Sequence, residues 1–473
     1  MKNYEAVMGI EIHAELKTKS KMFSGSPSTY GETPNTAINE IDLAYPGTMP
    51  QVNKTAVRYG HRLARALNCK IEPVLRFDRK NYFYSDLPKG YQITQEYYPL
   101  GTKGNFKIHV GEETMTVRIH RIHLEEDTAK QFHEVDHTLI DFNRAGTPLV
   151  EIVTEADFRN GSQAASYVDA VRQLVIYLGV GDGKMAEGSL RCDVNISLRE
   201  VGTDGFGTKV EIKNLNSISN VEKAIEYEIE RQSNLLNDGE EIVSETRRFD
   251  EKSQTTVLMR HKDGVIDYRY LPDALIPPTK IPEDILNEPL LETPFDRLNR
   301  YKADYGLTHY DGTVLIRNKE VSDYFDVVMK ETDNTKLVLN WLTQELLSVI
   351  DQKGDTPLSS WIPTQYFLEF IKAIESKEIS TRQAKEVFDE MLKGKSPKVI
   401  IKEKGMVQIG DEETITAWIS QVLEENPRAI EDHRNGLPSA VKFVTGQVMR
   451  LSRGQANPQF TNKLVKELLD KAI

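Results

Sequence analysis

The sequence predicts an α+β protein, with a sheet-rich N-terminal part followed by a C-terminal third that is helical throughout. Three observations carry this. Residues 8–16 and 190–198 alternate strictly between apolar and polar side chains, the period of a half-buried strand. Beyond residue 335, apolar residues recur at the helical spacing of three and four. Between these regions, residues 272–294 hold six of the chain's 20 prolines, which remove backbone donors and interrupt regular structure.

Along the sheet-rich part, helices include Ser162–Leu178 and one opened by Ser219-x-x-Glu222, read as a capping box. Past the prolines, helices are expected over 335–351, 364–375, the run capped by Ser380-x-x-Gln383, 411–424 and 458–472. A further break is placed near residue 405, where Lys404-Gly405 follows Val399-Ile400-Ile401. The expected domains are therefore 1–293, 294–405 and 406–473. A chain of 473 residues is long enough for two to four.

Composition narrows the class. With 39% hydrophobic and 28% charged residues the chain reads as globular, neither disordered nor membrane-embedded. Acidic residues interrupt the start where an export signal would need an apolar stretch, and no run approaches the roughly 20 residues of a membrane helix. A soluble cytoplasmic protein is expected. Two distant cysteines, Cys69 and Cys192, supply no Cys-rich zinc site and point to a reducing compartment. Cys192 alternates toward the apolar side and Cys69 lies just past a helix end, so neither reads as an activated thiolate. Net charge is -12, which argues against a nucleic-acid partner unless cations cluster. They do between Lys54 and Lys89, where nine Lys or Arg face three acids.

The chemistry concentrates on polar strand faces. In Met8–Leu16, Ile10, Ile12, Ala14 and Leu16 share one face and Glu11, His13 and Glu15 the other. Residues i and i+2 lie about 6.5 to 7 Å apart, from which neighbouring side chains reach around one ion. The pattern recurs at Leu190–Leu198, with Arg191, Asp193, Asn195 and Ser197 opposite the apolar face. It recurs again at Lys209–Lys213, where Glu211 and Lys213 are polar. Solvated strand faces usually carry Thr, Ser and Lys, so this mixture of acids, imidazole and cations points to a site. Glu125 and Glu151 add carboxylates at apolar strand-like runs, and mixed oxygen and imidazole donors suit Mg²⁺ or Mn²⁺ better than zinc.

From Arg76 to Tyr91 cations interleave with aromatics, a composition that contacts phosphates and stacks on bases. Walker spacing is absent, so no phosphate cradle of that type is expected. Gly179-Val-Gly181-Asp-Gly183-Lys184 reads equally as a plain loop or an anion nest. His133-Glu-Val-Asp-His137 matches a zinc-peptidase pattern, but the strand-like residues after it would keep the two imidazoles off a common helix face. His120 and His123 read as strand or surface histidines.

Six ordered segments carry a resemblance. They are Val7–Leu16, Arg79–Gln92, His123–Asp127, Asp141–Glu151, Glu187–Asn195 and Glu211–Asn216, and the match continues through Asp267–Tyr270 and Gly446–Pro458. Together they closely resemble the B-subunit family of the aspartyl/glutamyl-tRNA(Asn/Gln) amidotransferases, over essentially the whole chain. Small departures are Ser85 where Pro is frequent, Leu271 where Phe is usual and Arg248 where Gly is common.

The resemblance implies a cradle-shaped catalytic domain with a mainly antiparallel, glutamine-synthetase-like sheet, then a helical domain and a YqeY-like tail. It implies a heterotrimer with an amidase A subunit and a small C subunit. It also implies ATP-dependent phosphorylation of the side-chain carboxylate of Glu-tRNA(Gln) or Asp-tRNA(Asn), with ammonia from the A subunit then displacing phosphate. On this basis Glu11, His13, Glu125 and Glu151 are expected to hold Mg²⁺ or Mn²⁺. Lys80, Arg191, Glu211 and Lys213 are expected in catalysis, and Arg79, Tyr82, Tyr84, Ser85, Asp86, Lys89, Tyr91, Asp193 and Asn195 in nucleotide or substrate binding. Arg450, Arg453 and Lys463 are the expected tRNA contacts in a tail that carries six Lys or Arg and two acids from residue 438 on.

Overall fold

A computed structural model describes residues 3–262, 267–406, 411–435, 437–452 and 456–471. The chain divides into two compact units, Met1–His309 and Tyr310–Ile473. The first begins with β1 (Tyr4–Glu15), α1 (Lys54–Ala66), β2 (Lys70–Ile71), β3 (Val74–Leu75), β4 (Asp78–Asn81), β5 (Tyr91–Thr94) and β6 (Gly101–Val110). Next come β7 (Glu113–Glu126), β8 (Lys130–His133), β9 (Thr138–Asp141), β10 (Pro148–Thr154), α2 (Gly161–Tyr177), β11 (Leu190–Glu200) and β12 (Val210–Lys213). It ends with α3 (Ile218–Asn237), β13 (Glu245–Asp250), β14 (Thr255–His261), β15 (Leu271–Pro272), β16 (Thr279–Lys280), α4 (Glu283–Leu286) and α5 (Pro294–Tyr305).

Nine strands form one sheet in the order β14-β13-β12-β11-β1-β10-β7-β6-β2. Every pairing in it is antiparallel except β12 with β13, which α3 connects. The α+β class is therefore observed. Alternation along β1 and β11 sends Ile10, Ile12, Ala14, Cys192, Val194 and Ile196 into a core shared with α1, α2 and α3. Removing that much apolar area from water is the main force that fixes the register. Helix α1 packs so closely that a Cβ on Gly60 would lie 2.8 Å from Leu124 Cδ2.

Local signals act largely as read, with one correction. Asn53 caps α1 by accepting from the Thr55 and Ala56 amides. For α3 the cap is Ser217, whose hydroxyl accepts from Asn220 N, rather than Ser219, which lies within the first turn. Both residues are serine, and only the extended backbone at 217 decides between them. The proline-rich stretch is not a bare linker. Leu271 and Pro272 pair with β4, Thr279 and Lys280 with β3, and the Asp284 and Glu288 carboxylates pair with Arg58 and Arg62 of α1. His133 and His137 sit on a hairpin between β8 and β9, so no helix presents them together.

The second unit is helical among its described residues. Its helices include Thr364–Glu375, Thr381–Met391 with the Ser380–Gln383 capping box, Glu412–Glu425, Ser439–Leu451 and Pro458–Lys471. The expected 335–351 helix runs through a π-helical stretch at Trp341–Leu346. Ile415, Ile419, Val444, Val448, Val465 and Leu469 build a core for the tail helices.

Candidate functional site

The polar face of the large sheet carries rows of side chains set by strand register. His123 of β7 lies opposite Glu151 of β10, Glu151 opposite His13 of β1, and His13 opposite Arg191 of β11. In the next row Glu11 faces Asp193, and in the row beyond it Asn195 pairs with Gly9 on one side and Glu211 on the other. Residues two apart on one strand thus meet residues two apart on its neighbours.

At the centre, His13 Nε2 lies 3.3 Å from Glu151 Oε2, 3.6 Å from Glu125 Oε1 and 3.7 Å from Glu11 Oε1. His123 Nε2 is 3.2 Å from the same Glu151 oxygen and 3.6 Å from Glu125 Oε2. The four residues expected to hold a metal therefore converge. His123, expected to be a strand or surface histidine, is buried among them at 2% exposure. Its proximity could have been suspected from the spacing His123-x-Glu125, which repeats Glu11-x-His13. His120 is the surface residue of that pair and bonds Glu155 at 3.0 Å.

Electrostatics follow from burial and crowding. Burial opposes charge on both imidazoles, but Glu151 and the carboxylates around it outweigh that and push His13 and His123 up to about 9. Burial and the neighbouring Glu151 raise Glu11 to about 7. Glu151 itself resists the upward pull of burial because two imidazoles donate toward it, and its carboxyl lies well below the usual range. Protons thus hold together a set of groups that a cation would hold as well.

The donors fit a divalent ion. Glu11, His13 and Glu151 form one group, and His123, Glu125 and Glu151 a second, with donor atoms within 4.8 Å of one another in each. Ligands about 2.2 Å from a shared ion are at most about 4.4 Å apart, so small adjustments close either shell. His123 Nδ1 has no hydrogen-bond partner among the described residues, which leaves Nε2 as the nitrogen aimed at the carboxylates.

Cations flank this centre. Arg191 donates to Asp127 Oδ2 at 2.8 Å, and burial of that guanidinium is offset by Asp127. Lys213 Nζ lies 2.5 Å from Asp193 and 3.2 Å from Glu211, while Lys262 reaches Glu211 at 2.9 Å. Burial would raise Glu211, but the two ammonium groups hold it down at about 2. At the far end, burial and Asp127 raise Glu15 to about 7, and a cavity of about 690 Å³ opens there, lined by Glu15, Tyr30, Arg144 and Asp182 among others. The loop at Gly179–Gly183 closes against β1. A Cβ on Gly181 would meet Glu15 O at 2.7 Å, so that glycine serves close packing.

The segment Arg79–Tyr91 lies on β4, β5 and the turn between them. Arg79 Nε pairs with the buried Asp273 at 2.7 Å and its guanidinium lies 4.2 Å from the Tyr91 ring centre. Lys80 lies over Tyr268 at 4.8 Å, and Tyr82 packs edge-on against Tyr84 and Tyr268 while donating to Gln92. Lys89 forms a close ion pair with Glu126. Asp86 accepts the Ala129 amide through its carbonyl, and Ser85 is exposed. Tyr84 is 58% exposed and free to meet a ligand. Asp273 and Lys262 escape sequence reading because nothing local ties them to the partners they meet.

In the tail, Arg450 and Lys463 are exposed, the latter 3.8 Å from Glu467. Arg453 lies outside the described residues. Burial pushes the Cys69 thiol up to about 12 and Cys192 well above the usual range, which disfavours the thiolate at both.

Comparison with known proteins matches residues 6–287 to the family model described as "GatB/GatE catalytic domain" and residues 323–469 to "GatB domain". Among curated proteins, the chain is 46% identical to the B subunit of an aspartyl/glutamyl-tRNA(Asn/Gln) amidotransferase from Macrococcus caseolyticus, covering 99% of this chain and 100% of the relative. Proteins of the same description from Bacillus licheniformis and Geobacillus thermodenitrificans are each 45% identical, over 99% of this chain and 100% of each relative.

Proposed function

Because the chain belongs to the family of aspartyl/glutamyl-tRNA(Asn/Gln) amidotransferase B subunits, we propose that its sheet face activates the side-chain carboxylate of Glu-tRNA(Gln) or Asp-tRNA(Asn). The γ-phosphoryl group of ATP passes to a carboxylate oxygen, the bond to the β-phosphate bridge breaks, and ADP leaves. Ammonia then attacks the acyl carbon and expels phosphate, giving the amide. The observation that carries this reading is the buried cluster of Glu11, His13, His123, Glu125 and Glu151 in register across three strands.

A bound Mg²⁺ or Mn²⁺ would neutralise phosphate charge there and polarise the transferring group. The chain's own residues supply the rest. Arg191 and Lys213, held by Asp127 and by Asp193 and Glu211, present fixed positive charge beside the cluster, which suits the charge that develops on equatorial phosphate oxygens. Asp193 pairs with Lys213, and Asn195 stands in register with Glu211 on the same face. Lys80, Arg79, Tyr82, Tyr84 and Tyr91 with Ser85, Asp86 and Lys89 form a cation-and-aromatic ribbon suited to adenine or the tRNA end. Burial on β10 and β7 limits water near the acyl phosphate, whose hydrolysis would waste it.

Neither cysteine is activated, so neither serves as the nucleophile that releases ammonia from glutamine. A glutaminase A subunit with a small C subunit, in a cytoplasmic heterotrimer, supplies it in this reading. A glutamine-synthetase-like catalytic domain over 1–293 then performs the chemistry, with a helical domain at 294–405 and a YqeY-like tail at 406–473 contacting tRNA.

The test is to purify the complex with Mg²⁺, ATP and Glu-tRNA(Gln), and follow ADP and the amino acid recovered from the tRNA. Glutamine and ADP should form with wild type and fail together with His13→Ala. Conversion that survives in His13→Ala moves the ion elsewhere, and no conversion by wild type leaves a non-catalytic tRNA scaffold as the better account.

A further inference from the structure

In the row beside the central one, strand register aligns Thr102 of β6, Arg121 of β7, Val153 of β10, Glu11 of β1 and Asp193 of β11. Ile122 and Leu124 point into the core, so Arg121 shares the polar face with His123 and Glu125. Neither of its cross-strand neighbours carries a charge, whereas Arg191 and Lys213 are engaged by Asp127, Asp193 and Glu211. Among the described residues the ion-pair partner of Arg121 is Glu96, which follows β5 and accepts from Nη1 at 2.8 Å. Its Nε is covered and has no hydrogen-bond partner among the described residues. A donor left unpaired under cover costs free energy, and the Nε and Nη2 edge of a guanidinium matches a carboxylate with two parallel bonds.

Arg121 and Glu11 stand two strands apart, about 9 to 10 Å across the sheet. Between them lies only Val153, which is short, apolar and half-buried. The row therefore has a low apolar floor, with a guanidinium at one side and the group of Glu11, His13 and Glu151 at the other. Four rings lead toward it from the exposed turn. Tyr84, Tyr82, Tyr268 and Tyr270 succeed one another at centroid separations of 5.7, 6.0 and 6.0 Å, and the Tyr270 phenol lies in the field of Glu96 and Arg121.

We propose that Arg121 receives the side-chain carboxylate of the aminoacyl group over Val153, and so selects an acidic aminoacyl end against its amide product. This rests on the reading of the sheet face as the place where that carboxylate is activated. One carboxylate oxygen faces the guanidinium and the other faces Glu11, His13 and Glu151, where the phosphoryl group arrives. The amide keeps one acceptor oxygen and puts an N–H₂ donor in place of the other, so it cannot satisfy both sides, and the product leaves.

The test compares binding of Glu-tRNA(Gln), Gln-tRNA(Gln) and unacylated tRNA(Gln) to the full complex in Mg²⁺ without ATP. Wild type should hold the glutamyl form more tightly than the glutaminyl form, and Arg121→Gln should reduce that ratio by about tenfold or more while leaving unacylated tRNA(Gln) and the KM for ATP unchanged. Arg121→Lys keeps the charge without the fork and should give an intermediate ratio. Val153→Leu raises the floor and should weaken the glutamyl form severalfold with unacylated tRNA unaffected, which keeps the test available if Arg121→Gln does not fold. A purely structural Arg121 would weaken all three RNAs alike. No preference in wild type, an unchanged ratio in Arg121→Gln, or a loss confined to ATP overturns the inference. A preference that Arg121→Gln removes, in a complex that forms no ADP, overturns the proposed chemistry and leaves the selecting role of Arg121 standing.

Discussion

The sheet face around Glu151 and the ribbon from Arg79 to Tyr91 both gather charge, but they hold it differently. On the sheet, Glu11, His13 and Glu151 sit on strands paired along both edges, His123 and Glu125 lie on the part of β7 paired with β10, and Glu125 and Glu151 are only 3% and 7% exposed. Their positions are set by backbone register, so little reorganisation is left for the moment of reaction. The ribbon stands on the small sheet β15-β4-β5, and its turn leaves Phe83 88% and Tyr84 58% exposed. A rigid row suits charge stabilisation, and an exposed aromatic turn suits a ligand that arrives and departs.

The largest effect is expected at the shared ligand. Glu151→Ala should lower carboxylate activation by about a thousandfold or more and abolish Mn²⁺ binding measured by calorimetry. Activity within tenfold of wild type would sink the cluster as the metal site. The same row should show itself without any substrate. His13 and His123 bind protons more tightly folded than unfolded, so their stabilisation is complete below the ordinary imidazole value of 6.5 and is lost as pH rises through about 9. Melting of the metal-free chain should therefore fall between those values, and Mn²⁺ should flatten the fall by replacing the protons. A flat metal-free profile would count against the proton-held cluster.

The ribbon should respond more mildly. Arg79→Met leaves the buried Asp273 without its cation and should cost about 2 to 3 kcal/mol in denaturant unfolding. Retained stability would mean that the Leu275 amide alone satisfies that carboxylate. Smallest is Tyr84→Ala, expected to change stability by less than about 0.5 kcal/mol while raising KM for ATP or tRNA severalfold. If both constants stay unchanged, the turn is not part of the binding surface.

The same contrast explains what could be read in advance. Strict alternation made β1, β11 and β12 legible, and with them Glu11, His13, Arg191, Asp193, Glu211 and Lys213. On β7 alternation misleads. Val117 and Ile119 face the core, yet so do Ile122 and Leu124, because β7 carries an extra residue at His120 relative to β10. That bulge turns His123 and Glu125 onto the polar face, and its position is decided by pairing with strands remote in sequence. Likewise Arg79 is visible as a cation, but its partner Asp273 reaches it only through the pairing of β15 with β4. Helix positions survived well because their caps and periods are local, whereas Ser217 and Ser219 differ only in backbone conformation.

Strand β1 lies at the middle of the large sheet, and its two neighbours are β10 and β11, more than 130 residues further along the chain. During synthesis, the N-terminal strand must wait for both before its edges are satisfied. Contacts of such sequence separation close slowly, because the loop entropy comes before the contacts that repay it. The row around Glu11 and His13 therefore cannot be completed on both edges until β11 has been made. A nascent chain ending before residue 190 would carry Glu11 and His13 on a strand with one edge still open, so this polar row is assembled only after a loop of more than 170 residues has closed.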